Sequence, residues 1–180
     1  YPASPRAVSV AEVATLVPKN RGKTRTVALF VDPSAAEVEE VLATGRVDLL
    51  QFHGGESPAF CASFGSPYIK ASGVPSSADS ASLERLFKDY AGAELILLDA
   101  YDQQEHGGTG RRFDWAQAAA LAPEHKKRLV LAGGLDPDNV ALAVRSVAPF
   151  GVDVSSGIER AKGVKDPVKM RQFIEGVRGA

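Results

Sequence analysis

From residue 26 onward the chain alternates short apolar runs with amphipathic stretches six times over, and that alternation leaves few folds open. The runs are Thr26–Val31, Val47–Phe52, Tyr68–Ala71, Leu95–Leu98, Leu129–Ala132 and Gly151–Val154. Several are continuously apolar, as Leu95-Ile96-Leu97-Leu98 is, which is the pattern of parallel strands covered on both faces. Helix starts are predicted at Asp32-Pro33, Ser57-Pro58, Asp136-Pro137 and Asp166-Pro167, where a capping side chain precedes a proline at the first helical position. The spacing of Val38, Val41 and Leu42, of Leu83, Leu86, Phe87 and Tyr90, of Val140, Ala143, Val144 and Val147, and of Met170, Phe173, Ile174 and Val177 predicts four buried helix stripes. Gly45 ends the first of these helices, and a further helix over Ser9–Val17 precedes the first strand. No linker or low-complexity segment divides residues 1–180, so the pattern predicts a single α/β domain.

Two glycine-centred turns narrow the class. Leu129-Val130-Leu131-Ala132 runs into Gly133-Gly134-Leu135, and Gly151-Val152-Asp153-Val154 runs into Ser155-Ser156-Gly157. Glycines at a strand-to-helix turn let bare backbone N–H groups approach an anion, and the helix N-terminus adds partial positive charge. Two such turns on consecutive strands form the phosphate cradle of a (β/α)₈ barrel, after its seventh and eighth strands. A phosphorylated small molecule is the ligand this predicts. On that numbering the six runs are barrel strands three to eight. The expectation is an incomplete, N-terminally truncated TIM barrel lacking a first strand–helix–strand unit, since 180 residues fall short of the ~200–250 of a closed barrel.

The bulk properties exclude several classes. A net charge of −1, from 21 basic and 22 acidic residues, gives no electrostatic footprint for nucleic acid or an anionic membrane. The apolar runs are far shorter than the ~18 residues a membrane span needs. The single cysteine, Cys61, excludes an internal disulfide framework and fits a reducing cytosol. No Gly-Lys-Ser/Thr closes a Walker-type loop, no Gly-x-Gly-x-x-Gly opens the first helix, and His53, His106 and His125 lack the spacing of a metal-ligand set. Neither cofactor nor metal is therefore expected.

Five stretches carry a resemblance. Leu50-Gln51-Phe52-His53-Gly54-Gly55-Glu56 follows the second run. Leu97-Leu98-Asp99 precedes Gly107-Gly108-Thr109-Gly110-Arg111-Arg112-Phe113-Asp114-Trp115. Ser4-Pro5-Arg6 stands near the start, and the two glycine turns complete the set. In this order and spacing they resemble the phosphoribosylanthranilate isomerase family of tryptophan biosynthesis. The resemblance implies an Amadori rearrangement of N-(5-phosphoribosyl)anthranilate, in a cytoplasmic protein that when complete is a monomer or homodimer. A general acid protonates the furanose oxygen and opens the ring to a Schiff base; a general base then takes the proton at C2, and the enolamine becomes the ketone.

Each candidate has its own chemistry. Asp99 ends an apolar strand, where barrel side chains reach the active-site mouth. A structural loop-capping carboxylate reads as well from position alone, whereas the resemblance makes Asp99 the general acid. That role needs a pKa raised above the ordinary value of about 3.9 by apolar surroundings or nearby anions. His53 is either a hydrogen-bonded loop histidine or, by resemblance, a substrate-facing group that binds rather than transfers protons, and Gln51 is an interior amide. Arg6 read blindly is a solvated charge; the resemblance gives it the anthranilate carboxylate, where a planar fork meets a planar anion. Gly108 and Gly110 lie in a polar loop that is either a plain connection or a lid over the substrate. Gly133, Gly134, Ser155, Ser156 and Gly157 are the expected phosphate contacts, with Asp153 orienting from the same strand end.

One departure stands out. The family's base is a cysteine in a Lys-x-Cys-Gly motif at the end of the first barrel strand, and no such motif occurs in these residues. Cys61, one turn into the helix after Ser57-Pro58, reads as a small, half-buried helix residue. The chain as written is therefore expected to lack isomerase activity, or to be a non-catalytic phosphosugar-binding module. A third class, the indoleglycerol-phosphate synthase relatives, requires a lysine at a strand end, and none is read there.

Overall fold

The computed structural model describes residues 1–18, 22–74, 79–99 and 115–180. Six parallel strands follow one another in the sheet in chain order. The residues group into two compact units, Tyr1–Ala71 with Gly92–Leu95, and Ser72–Ala91 with Ile96–Ala180.

In the first unit, helix α1 (Val10–Leu16) opens on a capping box. The Ser9 hydroxyl accepts from the Glu12 N–H, and the Glu12 carboxylate accepts from the Ser9 N–H. Strand β1 (Val27–Phe30) pairs in parallel with β2 (Leu49–Phe52), which pairs with β3 (Tyr68–Gly73), with Phe30 level with Phe52 and Phe52 level with Lys70. All four residues of β2 are buried, Gln51 among them, as a strand covered on both faces requires. β1 departs from that expectation: Val27 and Leu29 are exposed, while Phe30 is buried. Phe52 is the hub of the core, with the rings of Phe30, Phe60, Phe64 and Tyr68 around it at 5.9–6.2 Å.

Helix α2 (Ala35–Ala43) corrects one sequence expectation. Its cap is Ser34, in a second capping box with Glu37, and not Asp32. Asp32 has a positive φ of 48°, and its carboxylate accepts from the distant Gly55 N–H at 2.6 Å instead. Helix α3 (Pro58–Ala62) starts where expected, at the Ser57 cap. Its Cys61 is fully buried rather than half-buried.

In the second unit, α4 (Ser80–Asp89) is capped by Asp79 and buries Leu83 and Phe87, the latter stacked on His125. Strands β4 (Leu95–Asp99), β5 (Leu129–Ala132) and β6 (Gly151–Val152) are parallel, with Asp99 level with Ala132 and Leu131 level with Val152. Short helices α5 (Trp115–Ala119) and α6 (Pro123–Lys126) lie between β4 and β5 in the chain. Helix α7 (Val140–Val147) buries Val140, Ala143 and Val147 as its stripe predicts. It begins three residues beyond the expected Pro137, because the Asp136 carboxylate caps a preceding turn by accepting from Asp138 N–H and Asn139 N–H. After a 3₁₀ turn (Ser156–Ile158) come a hairpin of β7 (Glu159–Ala161) and β8 (Val164–Lys165), then α8 (Pro167–Arg178), capped by Asp166. The α8 stripe is corrected: Phe173 is buried, but Met170 and Ile174 are exposed. No helix among the described residues is long and apolar enough to cross a membrane.

Candidate active site

Three neighbouring strand ends of the second unit bring most of the expected site together. Asp99 closes β4 half-buried, and its carbonyl accepts from the Val74 N–H at 2.9 Å. It stands level with Ala132, so the two side chains share one face of the sheet, and the alanine methyl leaves room beside the carboxylate. One residue beyond the last β5–β6 pair, the Asp153 N–H donates to the Leu131 carbonyl at 2.8 Å. Asp153 itself is exposed.

The chain leaves β5 through Gly133 at φ 83° and Gly134 at φ 64°. Two consecutive left-handed residues are easy only for glycine, which is why this turn was legible. The buried Asn139 holds it. The Asn139 amide donates to the Gly134 carbonyl at 2.9 Å, and its oxygen accepts from the Asp136 N–H at 3.0 Å. Asn139 escaped the sequence reading because its partners are backbone groups with no signature in composition.

The turn after β6 meets the first at Gly157. A Cβ there would sit 1.9 Å from the Leu135 oxygen and 3.1 Å from the Asp136 Cα. Only a residue without a side chain lets these two backbones touch. The contact brings Gly133-Gly134-Leu135 against Ser155-Ser156-Gly157. Glycine turns of this kind let backbone N–H groups approach an anion more closely than side-chain-bearing residues would.

The remaining candidates lie elsewhere. In the first unit His53 follows β2, half-buried, and its N–H donates to the Phe30 carbonyl at 2.9 Å. Arg6 is exposed near the chain start, its N–H donating to the Ser4 hydroxyl. Gly108 and Gly110 lie outside the described residues.

Behind His53 is a charged cluster that the sequence reading missed. The Lys70 ammonium, buried on β3, donates to the Glu56 carboxylate at 2.9 Å and to the carbonyls of Phe52 and Gly54 at 3.2 and 2.6 Å. Glu56 also accepts from the N–H groups of Asp32 and Gly54. A Cβ on Gly54 would fall 2.4 Å from the Asp32 carboxylate, so the loop closes only with glycine there. Burial pushes the Glu56 carboxyl up, but the Lys70 and backbone hydrogen bonds outweigh it and leave the group below its ordinary 4.5. Lys70 lies inside β3 rather than at its end. Engaged with two carbonyls and a carboxylate, it is held as a structural cation rather than a free nucleophile. The Cys61 thiol, near the same cluster, is pushed up to about 11 by burial, so it is a poor proton acceptor at neutral pH.

The chain as a whole is similar to known proteins. The family model described as N-(5'-phosphoribosyl)anthranilate (PRA) isomerase matches residues 1–176. The N-(5'-phosphoribosyl)anthranilate isomerase of Nitrosococcus oceani is 45% identical over 177 residues, covering 98% of this chain and 83% of that protein. The crystal structure of phosphoribosyl anthranilate isomerase from Thermotoga maritima superimposes with a TM-score of 0.84 at 32% identity, over 100% of this chain and 85% of that one. A phosphoribosyl anthranilate isomerase in complex with reduced 1-(o-carboxyphenylamino)-1-deoxyribulose 5-phosphate gives 0.80 at 30% identity, over 100% and 84%.

Proposed function

We propose, from the premise that this chain belongs to the N-(5'-phosphoribosyl)anthranilate isomerase family and is an isomerase of tryptophan biosynthesis, how its residues divide the work. The substrate is N-(5-phosphoribosyl)anthranilate and the product 1-(2-carboxyphenylamino)-1-deoxyribulose 5-phosphate. The six strands serve as the third to eighth of a (β/α)₈ barrel, in the cytoplasm. The phosphate sits where Gly133-Gly134 and Ser155-Ser156-Gly157 converge, with Asp153 orienting that loop. Asp99 is the general acid. Its proton goes to the furanose oxygen, the C1–O bond breaks, and the nitrogen lone pair forms the Schiff base. A general base, which none of the residues assigned here supplies, then takes the C2 proton to give the enolamine, which tautomerises to the ketone. By resemblance to the family, His53 is assigned to substrate binding, Arg6 to the anthranilate carboxylate, and Gly108 and Gly110, which lie outside the described residues, to substrate binding as well.

The observation that carries this reading is the register of Asp99 with Ala132, the residue just before Gly133. Adjacent strands lie ~4.8 Å apart, so the acid ends the strand beside the one that leads into the cradle, and one ligand can reach both. Asp99→Asn keeps the shape and removes the proton. Steady-state turnover should fall by ~10²–10⁴ while the affinity for a product analogue changes little. Turnover near that of the unaltered chain would refute the role.

A second reading rests on a specific pair of facts. These residues contain no Lys-x-Cys-Gly stretch, and Cys61 is buried with its thiol at about 11. On this reading the chain binds the phosphosugar without turning it over. Binding of the product analogue with no detectable turnover by the unaltered chain selects it.

A further inference from the structure

The hairpin that follows the phosphate loop has no role in the chemistry above, yet an ion pair within it is aimed at that loop. The Lys165 ammonium donates to the Ser155 carbonyl at 2.7 Å and to the Glu159 carboxylate at 3.0 Å. Glu159 is buried, and its second oxygen accepts from the Gly163 N–H at 3.1 Å. The Lys169 ammonium donates to the Glu159 carbonyl at 3.0 Å, and the Asp166 N–H donates to the Ile158 carbonyl at 2.8 Å. The hairpin is thus tied to itself through Glu159, to α8 through Lys169, and to the phosphate loop through Lys165.

We propose that Lys165 is a positioning residue for phosphate binding, acting through the Ser155–Ser156 peptide. A peptide unit is planar and trans, so its C=O and N–H point in opposite directions. Gripping the Ser155 oxygen from the hairpin side turns the Ser156 N–H the other way and holds it there. Ser155 sits at φ −116° and ψ −84°, outside the regular regions, so the peptide needs an external hold. Glu159 neutralises the ammonium and fixes its place. The pair therefore offers the ligand an oriented dipole rather than a bare charge. The proposal rests on the phosphate cradle of the preceding section.

The test is titration calorimetry of the 180-residue chain with inorganic phosphate, alongside circular dichroism and melting. Lys165→Met should weaken phosphate binding about tenfold, the scale of one hydrogen bond to a charged partner, while the spectrum stays native. Lys165→Arg, which still reaches the carbonyl, should restore most of it. Where turnover is measurable, KM should rise and kcat should hold. Glu159→Gln separates orientation from charge. Loosening the brace weakens phosphate binding, whereas a simple cation freed of its counter-charge would tighten it. If Lys165→Met does not fold, the sign of the Glu159→Gln effect decides alone. Unaltered chain that binds no phosphate removes the cradle and this inference with it. Phosphate bound equally well by the unaltered chain and a folded Lys165→Met variant overturns the inference and leaves the cradle standing.

Discussion

Removing Lys70 tests how the loop behind His53 is held. The side chains of Lys70 and Glu56 are 5% and 2% exposed, so Lys70→Met leaves a carboxylate in the interior without its cation. Breaking a buried pair from one side costs about 3–5 kcal/mol. The lower end applies, because the Asp32 and Gly54 N–H groups still donate to Glu56 at 2.9 Å. At ~2–4 °C per kcal/mol for a chain of this size, the melting temperature at pH 7 should fall by roughly 6–12 °C. Lys70→Met with Glu56→Gln should recover at least ~1 kcal/mol of that loss, since the amide oxygen accepts from the same two N–H groups without carrying charge. The pH dependence has a definite sign. In the unaltered protein Glu56 is held below 4.5, so its contribution is present above that value and is lost as pH falls through the depressed pKa. Without Lys70, burial is opposed only by the backbone donors and the carboxyl moves up. The gap between the variant and the unaltered protein should therefore narrow as pH drops from 7 toward 4. Thermal melts at both pH values read all of this. A single variant within 2 °C (about 1 kcal/mol) of the unaltered protein at pH 7, or a double variant no better than the single, would refute the account.

Other expectations follow from single contacts. Gly157→Ala drives a methyl against the Leu135 carbonyl and should separate the two turns, so phosphate affinity measured by calorimetry should drop at least tenfold with the fold retained. Cys61 is fully buried with its thiol at about 11, so a thiol-specific reagent at pH 8 should label it only as fast as the protein opens; rapid labelling of native protein would contradict this. Ala148 ends α7 at φ 52°, where a Cβ costs about 1–2 kcal/mol. Ala148→Gly should raise stability in urea melts by about 0.5–1 kcal/mol after the added unfolded-state entropy is subtracted.

What was legible in the sequence, and what was not, divides along one physical line. Strands β2 and β5 were readable because burial on both faces demands apolar residues at every position, and Leu49–Phe52 and Leu129–Ala132 nearly comply. The Gly133-Gly134 turn was readable because a positive φ leaves its mark on residue choice at the site itself. Periodicity, by contrast, predicts which side of a helix is apolar and says nothing of what lies against it. The α8 stripe has the right spacing, yet Met170 and Ile174 face solvent.

Polar side chains bonded to distant backbone leave the weakest trace of all. Asp32 before Pro33 has the form of a helix cap, but its carboxylate is taken by Gly55, 23 residues away, and Ser34 caps the helix instead. Asn139 and Lys165 act on carbonyls that any residue type would present. Lys70 alone carried a usable signal. A cation inside the otherwise apolar Tyr68-Ile69-Lys70-Ala71 strand cannot be buried without an anion and further acceptors. The glutamate that closes the His53-Gly54-Gly55-Glu56 stretch is the nearest carboxylate in the chain before it. Reading the two together implies that the loop presenting His53 is anchored from beneath by charge, with its glycines there to let the backbone reach that anchor.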